Sequence, residues 1–354
     1  MKKLFFIAAI ASAALVSCTK NEVTPVAFEQ EITFAAPVVG PQTKAQYGEI
    51  GVSYNEAEHF GVYAVHTPGA FATWAAGSLY MGTTTGAGLE VQKTGTENYW
   101  APTTPYYWPK EGYLSFAAYS PYDVTGTVTY GAAGLSVVGH TVSTNTAEHV
   151  DFMYAPRVYN RNSSTEEGDD DDSKYEYDGV NVLFNHAMSS IVFKVARATG
   201  IDASTVITLN RLTITKPSMT ADFKETVADG YPYSASPKWE NYSNNSADVV
   251  TYNVPVALTE TLTEYVNKTG AVANDVILIP QTISSDMDVI IDYTIFTPGG
   301  HSVEQQTKID LDSYTAAWGM GTRYTYNIKI GLEEIIFDPA VTDWTDVNVT
   351  FPTL

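Results

Sequence analysis

Short stretches in which every second residue is apolar recur along this chain, and they restrict it to a β-sheet fold. Successive side chains point to opposite faces of a strand, so a strand with one buried face has this two-residue period. The period is unbroken over residues 324–330 and recurs over residues 289–295, where Pro298-Gly299-Gly300 follows as a turn. Further strand-length runs, rich in Val, Ile, Thr and Tyr, occupy residues 60–65, 114–119, 191–195, 206–214 and 276–279.

Helical spacing is scarce in comparison. Residues 258–266 fit two helical turns, with Pro255 before them and Gly270 after them. The remaining apolar runs are short and are separated by Gly, Pro, Asn and Asp, a pattern typical of antiparallel sandwiches rather than of alternating strands and helices. The predicted fold class is therefore all-β, built from antiparallel β-sandwiches.

An acidic segment over residues 160–179 separates two strand-rich parts of the chain. It contains four consecutive aspartates, Asp169 to Asp172, and like charges this close together favour a solvated loop. The aspartates lack the glycine and glutamate spacing of an EF-hand, so no metal site is predicted. A chain of 354 residues suits two domains of roughly 150 residues each. We predict an N-terminal sandwich over residues 28–178 and a C-terminal one over residues 179–354.

The first residues have the pattern of an export signal. Lys2 and Lys3 precede an apolar run over residues 4–16, which is too short for a membrane-spanning helix. The run ends in Leu15-Val16-Ser17-Cys18, which resembles a bacterial lipobox, and Cys18 is the chain's single cysteine. We predict a signal peptide over residues 1–17, a lipid on Cys18 and a linker over residues 18–27. The alternative is an ordinary signal peptide with an incidental cysteine.

Charge and motifs argue against several classes of function. The formal net charge of −21 disfavours nucleic acid and anionic lipid as partners. The six histidines are scattered without metal-binding spacing, and no nucleophile elbow or phosphate-binding loop follows a strand. The sequence therefore predicts no enzyme, no cofactor and no metal site, although a glycosidase carboxylate pair has no signature and stays open. His186, beside an apolar strand, is expected to be packed and hydrogen-bonded.

Several short motifs follow one another in a characteristic order behind the lipobox. They are Glu31-Ile32-Thr33-Phe34-Ala35-Ala36-Pro37, Thr43-Lys44-Ala45, Tyr106-Tyr107-Trp108-Pro109 with residues 114–121, residues 184–191, Leu278-Ile279-Pro280-Gln281, Trp318-Gly319, Tyr324-Thr325-Tyr326 and Val341-Thr342-Asp343-Trp344. In this order and over nearly the whole chain, they resemble the fimbrillin-like family of pilus subunits.

The resemblance implies two transthyretin-like β-sandwich domains in tandem. It also implies export as a palmitate-bearing lipoprotein to the outer membrane and cell surface, a role in cell adhesion and, for many members, assembly into type V pili by strand exchange. Other members are anchors, tips or accessory adhesins. The partners implied are other pilin subunits, the outer membrane through the lipid, and a glycan or protein on a host or bacterial surface, but no nucleic acid.

The two ends of the chain carry one-faced strands that suit such an exchange. The candidate residues are Phe28, Ile32, Phe34, Ala36 and Val38 in the first strand, with Glu31, Thr33, Ala35 and Pro37 on its other side, and Val347, Val349 and Phe351 near the C-terminus. In the family a protease cuts after a basic residue and removes the first strand, which Lys44-Ala45 would match. A C-terminal strand from the next subunit would then fill the groove by β-augmentation. The alternative is that both strands are permanent edges, as in an anchor subunit.

An aromatic block supports a second hypothesis of a different class. Trp100, Tyr106, Tyr107 and Trp108 would offer a platform for stacking sugar rings if they were exposed, which would make the protein a monomeric glycan-binding surface lipoprotein. The other interpretation is that they fill a core, where each aromatic side chain buries about 150–250 Å². The interpretation that these side chains fill a core is favoured, because the block belongs to the family's pattern.

Overall fold

The structure is a computed structural model that describes residues 30–35, 37–40, 52–53, 59–94, 99–163, 179–227, 235–266, 275–332 and 335–343. Within these residues the chain forms β-strands joined by turns, and its helical structure is limited to the 3₁₀ turns Trp74–Ala76, Thr146–Glu148 and Leu311–Ser313. The predicted all-β class is confirmed. No helix in the described part of the chain is long and apolar enough to cross a membrane.

The strands before the acidic segment are short at first and lengthen along the chain. They are β1 Phe34–Ala35, β2 Val38–Val39, β3 Val52–Ser53, β4 Phe60–Thr67, β5 Ser78–Met81, β6 Leu89–Lys93, β7 Tyr99–Pro102, β8 Tyr113–Ser120, β9 Thr127–Gly131, β10 Gly134–Thr141 and β11 Met153–Arg161.

The strands after it include most of the long ones. They are β12 Leu183–His186, β13 Ser189–Arg197, β14 Val206–Ile214, β15 Thr220–Val227, β16 Ala235–Ser243, β17 Val249–Tyr252, β18 Val256–Ala257, β19 Thr263–Glu264, β20 Val276–Leu278, β21 Gln281–Thr282, β22 Asp288–Thr297, β23 His301–Asp310, β24 Ala317–Trp318, β25 Thr322–Ile330 and β26 Ile335–Asp343.

The first sheet is the largest and curls around its own core. Its strand order is β1-β7-β6-β4-β8-β11-β12-β2-β3, with β5 also paired to β4. Residues 60–65 of β4 and 116–119 of β8 are apolar without interruption because both faces of these strands are buried: Val62 and Ala64 point into the first sheet's core, whereas Tyr63 and Val65 point into a second core. This explains why residues 60–65 form a continuous apolar run rather than an alternating one.

The described residues also form three further sheets of four or five strands and one two-stranded pair. The second sheet has the order β16-β15-β10-β9, the third β19-β13-β25-β26 with β20 on β13, and the fourth β17-β14-β22-β23 with β18 on β14. A separate short pair joins β21 and β24. The second core contains side chains from the other face of β4 and β8 and from all three of these sheets. Among the strands of the described residues, pairing is antiparallel except between β12 and β2 and between β13 and β25, which are parallel.

Strands from both sides of the predicted domain boundary share sheets. β12 continues the first sheet, and the hairpin of β15 and β16 pairs through β15 with β10. The division into residues 28–178 and 179–354 is not tested directly and stays a prediction. Residues 164–178, the main part of the acidic segment, lie outside the described residues.

The predicted strands with strict alternation are found where the period placed them. β14 has the predicted bounds, and in β25 the side chains of Tyr324, Tyr326, Ile328 and Ile330 are all buried. The turn between β22 and β23 uses Gly299 and Gly300, whose φ angles of 107° and 85° are left-handed and favour glycine.

Residues 258–266, whose spacing fits two helical turns, do not form a helix. Their backbone instead pairs with neighbouring strands, since Leu258 N–H donates to the Ile207 carbonyl at 2.8 Å and Tyr265 N–H to the Phe193 carbonyl at 3.0 Å. Thr263–Glu264 forms β19 on β13. The bond from Tyr265 uses an N–H that a helix over these residues would need for itself, and the β-branched residues of this segment suit a strand.

Candidate subunit interface at the first strand

The first strand lies in a slot that closes the first sheet. On one side Phe34 pairs with Trp100 and Ala35 with Tyr99 in β7. On the other side Ala35 N–H donates to the Val180 carbonyl at 3.1 Å, and Val180 N–H donates to the Thr33 carbonyl at 2.9 Å. Residues 33–35 therefore bridge β7 and the approach to β12, and without them the sheet would open along this line. We call this slot the seam.

The chain before β1 extends the seam along the aromatic block. Ile32 N–H donates to the Tyr106 carbonyl at 2.7 Å, and Trp108 N–H donates to the Gln30 carbonyl at 2.9 Å. Glu31 forms a bridge with Tyr107 and its side chain is exposed. Residues 30–32 are thus hydrogen-bonded to residues 106–108, as Phe34 and Ala35 are paired with β7, and the side chains of Ile32 and Phe34 point toward the core.

Two side chains of the first strand fill the seam. Ile32 and Phe34 are fully buried. The Phe34 ring makes edge-to-face contacts with Phe60 and Phe116, each with centroids 5.7 Å apart. Such contacts add to the apolar area that the two side chains remove from water. Ile32 and Phe34, which the sequence places on one side of the first strand, thus both face the core.

The alternation expected for the rest of this strand ends at Phe34. Ala35 and Pro37, predicted to be on the outer side, are buried as well. After β1 the chain leaves β7, and Val38–Val39 forms the separate strand β2 between β12 and β3, so both of its sides are covered. Phe28 and Ala36 lie outside the described residues, and of Val38 only the backbone is described.

The other candidate residues for processing and exchange also lie outside the described residues. They are Cys18, Lys44, Ala45, Val347, Val349 and Phe351. The lipid, the cleavage and the donor strand therefore stay predictions.

The aromatic block contributes mainly to the core of the seam. Trp100 and Trp108 are buried, and Trp108 contacts Phe116 with centroids 5.8 Å apart. Tyr106 is half-buried, whereas Tyr107 is 40% exposed. Since both tryptophans face inward, the block does not form the open platform that a stacked sugar requires.

Three histidines, His140, His149 and His186, lie away from the seam, near the contacts between the first sheet and the later strands. His186 is half-buried and its Nδ1 contacts the Asp151 carboxylate, as expected for a packed histidine. His140 and His149 flank a pocket of about 280 Å³, and burial lowers the pKa of each to about 4. Among the described residues no group of three or more His, Cys, Asp or Glu side chains could hold a metal ion.

Two long-range contacts were not found from the sequence: that of Val180 with the first strand, and the pairing of β10 with β15. Val180 follows the acidic segment, and nothing local indicates that it meets Thr33 and Ala35. The hairpin of β15 and β16 had a local signal, because alternation over residues 220–227 is followed by turn residues near Gly230 and Pro232. Its partner β10 lies about 80 residues earlier, and such a choice depends on packing rather than on pattern.

Comparison with known proteins identifies the family. A sequence model described as fimbrillin-like matches residues 43–344. The chain belongs to the fimbrillin-like family. The family assignment made from the short motifs is therefore confirmed, and it makes this a fimbrial, cell-adhesion type of protein of the cell surface. A search among curated proteins finds no match.

One solved structure shares the fold of this fimbrillin-like protein, and two others align with it over most of their length. A crystal structure of a fimbrial protein from Bacteroides vulgatus is 16% identical, with a TM-score of 0.61, and the match covers 90% of this chain and 100% of that one. A proposed cell adhesion protein from Bacteroides uniformis is 17% identical, with a TM-score of 0.46 over 90% and 99% of the two chains. The tip fimbrial protein Mfa3 from Porphyromonas gingivalis is 9% identical, with a TM-score of 0.35 over 89% and 100%. We use the first as a likeness of fold alone.

Proposed function

We propose that this fimbrillin-like protein is a structural and adhesive pilus subunit that is exported as a lipoprotein and joins its neighbours by exchange of its first strand. The observation that carries the proposal is the seam. Residues 30–35 close the first sheet between β7 and Val180, and they insert Ile32 and Phe34 into an aromatic core.

Cleavage after Lys44 would remove β1 and β2 together. The seam would then expose unpaired backbone groups of β7 and Val180 and the apolar surface of Phe60 and Phe116, an arrangement that is unstable in water. A strand with apolar side chains at alternate positions would restore both. Val347, Val349 and Phe351 have that spacing, so the C-terminal segment of a second subunit is the donor we propose.

Substitution of Lys44 tests the exchange. Lys44→Ala should abolish the SDS-resistant, heat-stable ladder that assembled subunits give on gels, because the first strand would stay in the seam. Lys216→Ala, which changes an exposed lysine outside the seam, is the matched control and should assemble normally. A normal ladder from Lys44→Ala would contradict the proposed exchange.

Substitution of Cys18 tests the anchor separately. Cys18→Ser should release the protein from the outer-membrane fraction, because the described residues contain no membrane-spanning helix and several acyl chains on one cysteine would supply the attachment. Retention of the variant in that fraction would show that Cys18 does not carry the anchor. The strand exchange would be unaffected by that result.

A further inference from the structure

The loop between β10 and β11 connects the earlier and later parts of the chain. In this loop, residues 142–152, Val142 N–H donates to the Met219 carbonyl at 2.8 Å, and Asn145 forms a bridge with Val250 in β17. At its end the Phe152 carbonyl accepts from Ala187 N–H at 2.9 Å. We call residues 142–152 the latch, since each of these contacts reaches a residue beyond the acidic segment.

His149 joins the latch to the third sheet through its imidazole ring. Its Nδ1 accepts a hydrogen bond from Ile277 N–H in β20 at 3.0 Å, and its Nε2 donates to the Ser143 carbonyl at 2.8 Å. Both partners are backbone groups of fixed polarity, so the ring is neutral with its proton on Nε2. A second proton would have to sit on Nδ1 and face the Ile277 N–H. Protonation is therefore incompatible with this contact.

His140 lies beside the latch in β10 and faces a similar constraint. The hydroxyl of Thr125 donates to the Thr141 carbonyl at 2.9 Å, so it accepts from His140 Nδ1, 3.0 Å away. Nε2 of His140 is buried without a hydrogen-bond partner in the described part of the chain. The ring packs against Phe152 and Trp239, with centroid distances of 5.7 and 5.4 Å. A proton on Nε2 would place an uncompensated charge in this apolar site.

Carboxylates near the two histidines are already engaged or face solvent. Glu148 is exposed and accepts from the Ser143 hydroxyl at 2.7 Å and from Asn145 Nδ2 at 3.0 Å, which lowers its own pKa. Asp123 lines the pocket between the two histidines. On β15, the element that pairs with β10, Asp222 accepts from Gly139 N–H at 2.7 Å.

The charged groups on the remaining neighbours are paired with other residues. Beyond Phe152, Asp151 contacts His186. Next to β20, Asp275 accepts from Arg323 at 3.0 Å and from the Ser190 hydroxyl. On β16, Glu240 is paired with Lys238. Burial is the largest effect on both rings and lowers the pKa of each, whereas the Ser143 carbonyl and the charge of Glu148 act on His149 in the opposite direction.

We propose that the latch opens in acid. Protonation of His149 breaks the hydrogen bond that its Nδ1 accepts from Ile277 in β20, and protonation of His140 then loosens the packing around Trp239. Trp239 transmits the change because its Nε1 donates to the Ala187 carbonyl at 2.7 Å, at the point where β12 passes into β13. The latch would thus hold its contacts with the residues after the acidic segment at neutral pH and lose them in acid.

The direction of the pH dependence follows from the two protonation states. Burial lowers the pKa of His149 from an ordinary value of 6.5 to about 4 in the closed latch. The open latch therefore binds a proton in a pH range where the closed latch does not. Closure is fully favoured above about pH 6.5 and weakens progressively as the pH falls to about 4.

Hydrogen exchange of the Ile277 amide measures this contact directly in the purified full-length protein. After correction for intrinsic exchange rates, its protection should fall about tenfold or more between pH 7 and pH 4.5, while the Ile291 amide in central strand β22 keeps its protection. His149→Gln can still accept from Ile277 and donate to Ser143 but cannot titrate, so its Ile277 protection should not change with pH. His301→Gln, which changes an exposed histidine on β23, should behave like the wild type.

Exchange at one amide is a better readout than global unfolding. Glu225 is buried and accepts from Leu135 N–H at 3.1 Å, and burial raises its pKa. Its effect on stability has the opposite sign, because a raised carboxyl pKa favours the folded state as the pH falls. The two effects would partly cancel in a global measurement.

Two results would overturn the proposal. One is constant Ile277 protection in the wild type down to pH 4.5, and the other is an equal loss of protection in His149→Gln. A ring-carbon chemical-shift titration of His149 in the wild type provides a check that needs no variant. A midpoint near 4 supports the latch, whereas a midpoint near 6.5 contradicts it.

Discussion

The first strand and the hairpin of β22 and β23 are held in the molecule in opposite ways. β1 has two ladder pairs with β7 and one bridge to Val180, and its fixation comes from the buried Ile32 and Phe34. β23 has ten paired positions with β22, yet most of its side chains are exposed. A strand fixed by side chains in a closed slot can be replaced by another strand with similar side chains. A strand fixed in a long hairpin cannot leave without its neighbour.

The largest expected effect comes from matched phenylalanine substitutions in the two regions. Phe34→Ala should cost about 3–5 kcal/mol of unfolding free energy, because it empties a site enclosed by Phe60 and Phe116. Phe296→Ala, at the end of β22, changes a side chain that is 43% exposed and should cost less than about 1 kcal/mol. Chemical denaturation of both variants measures the difference. Equal losses would show that side-chain burial does not distinguish the two strands.

A matched tyrosine pair tests how the third sheet's core differs from the seam. Trp318 Nε1 donates to the Tyr326 hydroxyl at 2.8 Å, and burial raises the pKa of this tyrosine to about 12. Tyr326→Phe should cost about 1–3 kcal/mol because it removes the hydroxyl that this buried N–H contacts. Tyr107→Phe, at the exposed edge of the seam, should change stability by less than about 0.5 kcal/mol. Thermal unfolding of both variants measures the two changes in stability. A negligible loss of stability in Tyr326→Phe would argue against the hydrogen bond between Trp318 and Tyr326.

A smaller effect is expected in local opening of the native protein. The amides of Ile32 and Ala35, which donate to Tyr106 and Val180, should exchange about tenfold or more faster than those of Ile291 and Tyr293 in β22. The reason is that opening the seam breaks few hydrogen bonds, whereas β22 lies between β14 and β23. Equal protection in the two regions would indicate that the first strand opens only when the whole molecule unfolds.

The sequence predicted individual strands better than their partners. β25 was found from alternation, because its buried side chains alternate with half-buried ones, whereas β14 was found as a run rich in Val, Ile and Thr. The closure of the seam by Val180 and the pairing of β10 with β15 could not be found in this way, since both join residues far apart in the chain. Alternation also failed at Ala35 and Pro37, where both sides of the chain are covered.

For the candidate interface, the sequence predicted which side chains enter the core but not what surrounds them. Ile32 and Phe34 were identified because they alternate with Glu31 and Thr33. The slot that receives them depends on Trp100 and Val180, which reach it from two distant parts of the chain. In residues 258–266 the surroundings override the local pattern: the run has helical spacing, but its backbone is hydrogen-bonded to β13 and β14.

N-terminal sequencing of high-molecular-weight material isolated from cells tests most directly whether the first strand leaves the seam when subunits assemble. The account predicts that the assembled chains begin at Ala45, with Cys18, β1 and β2 absent. Assembled chains that still begin at lipidated Cys18 would contradict it, because the seam would then be occupied by its own strand.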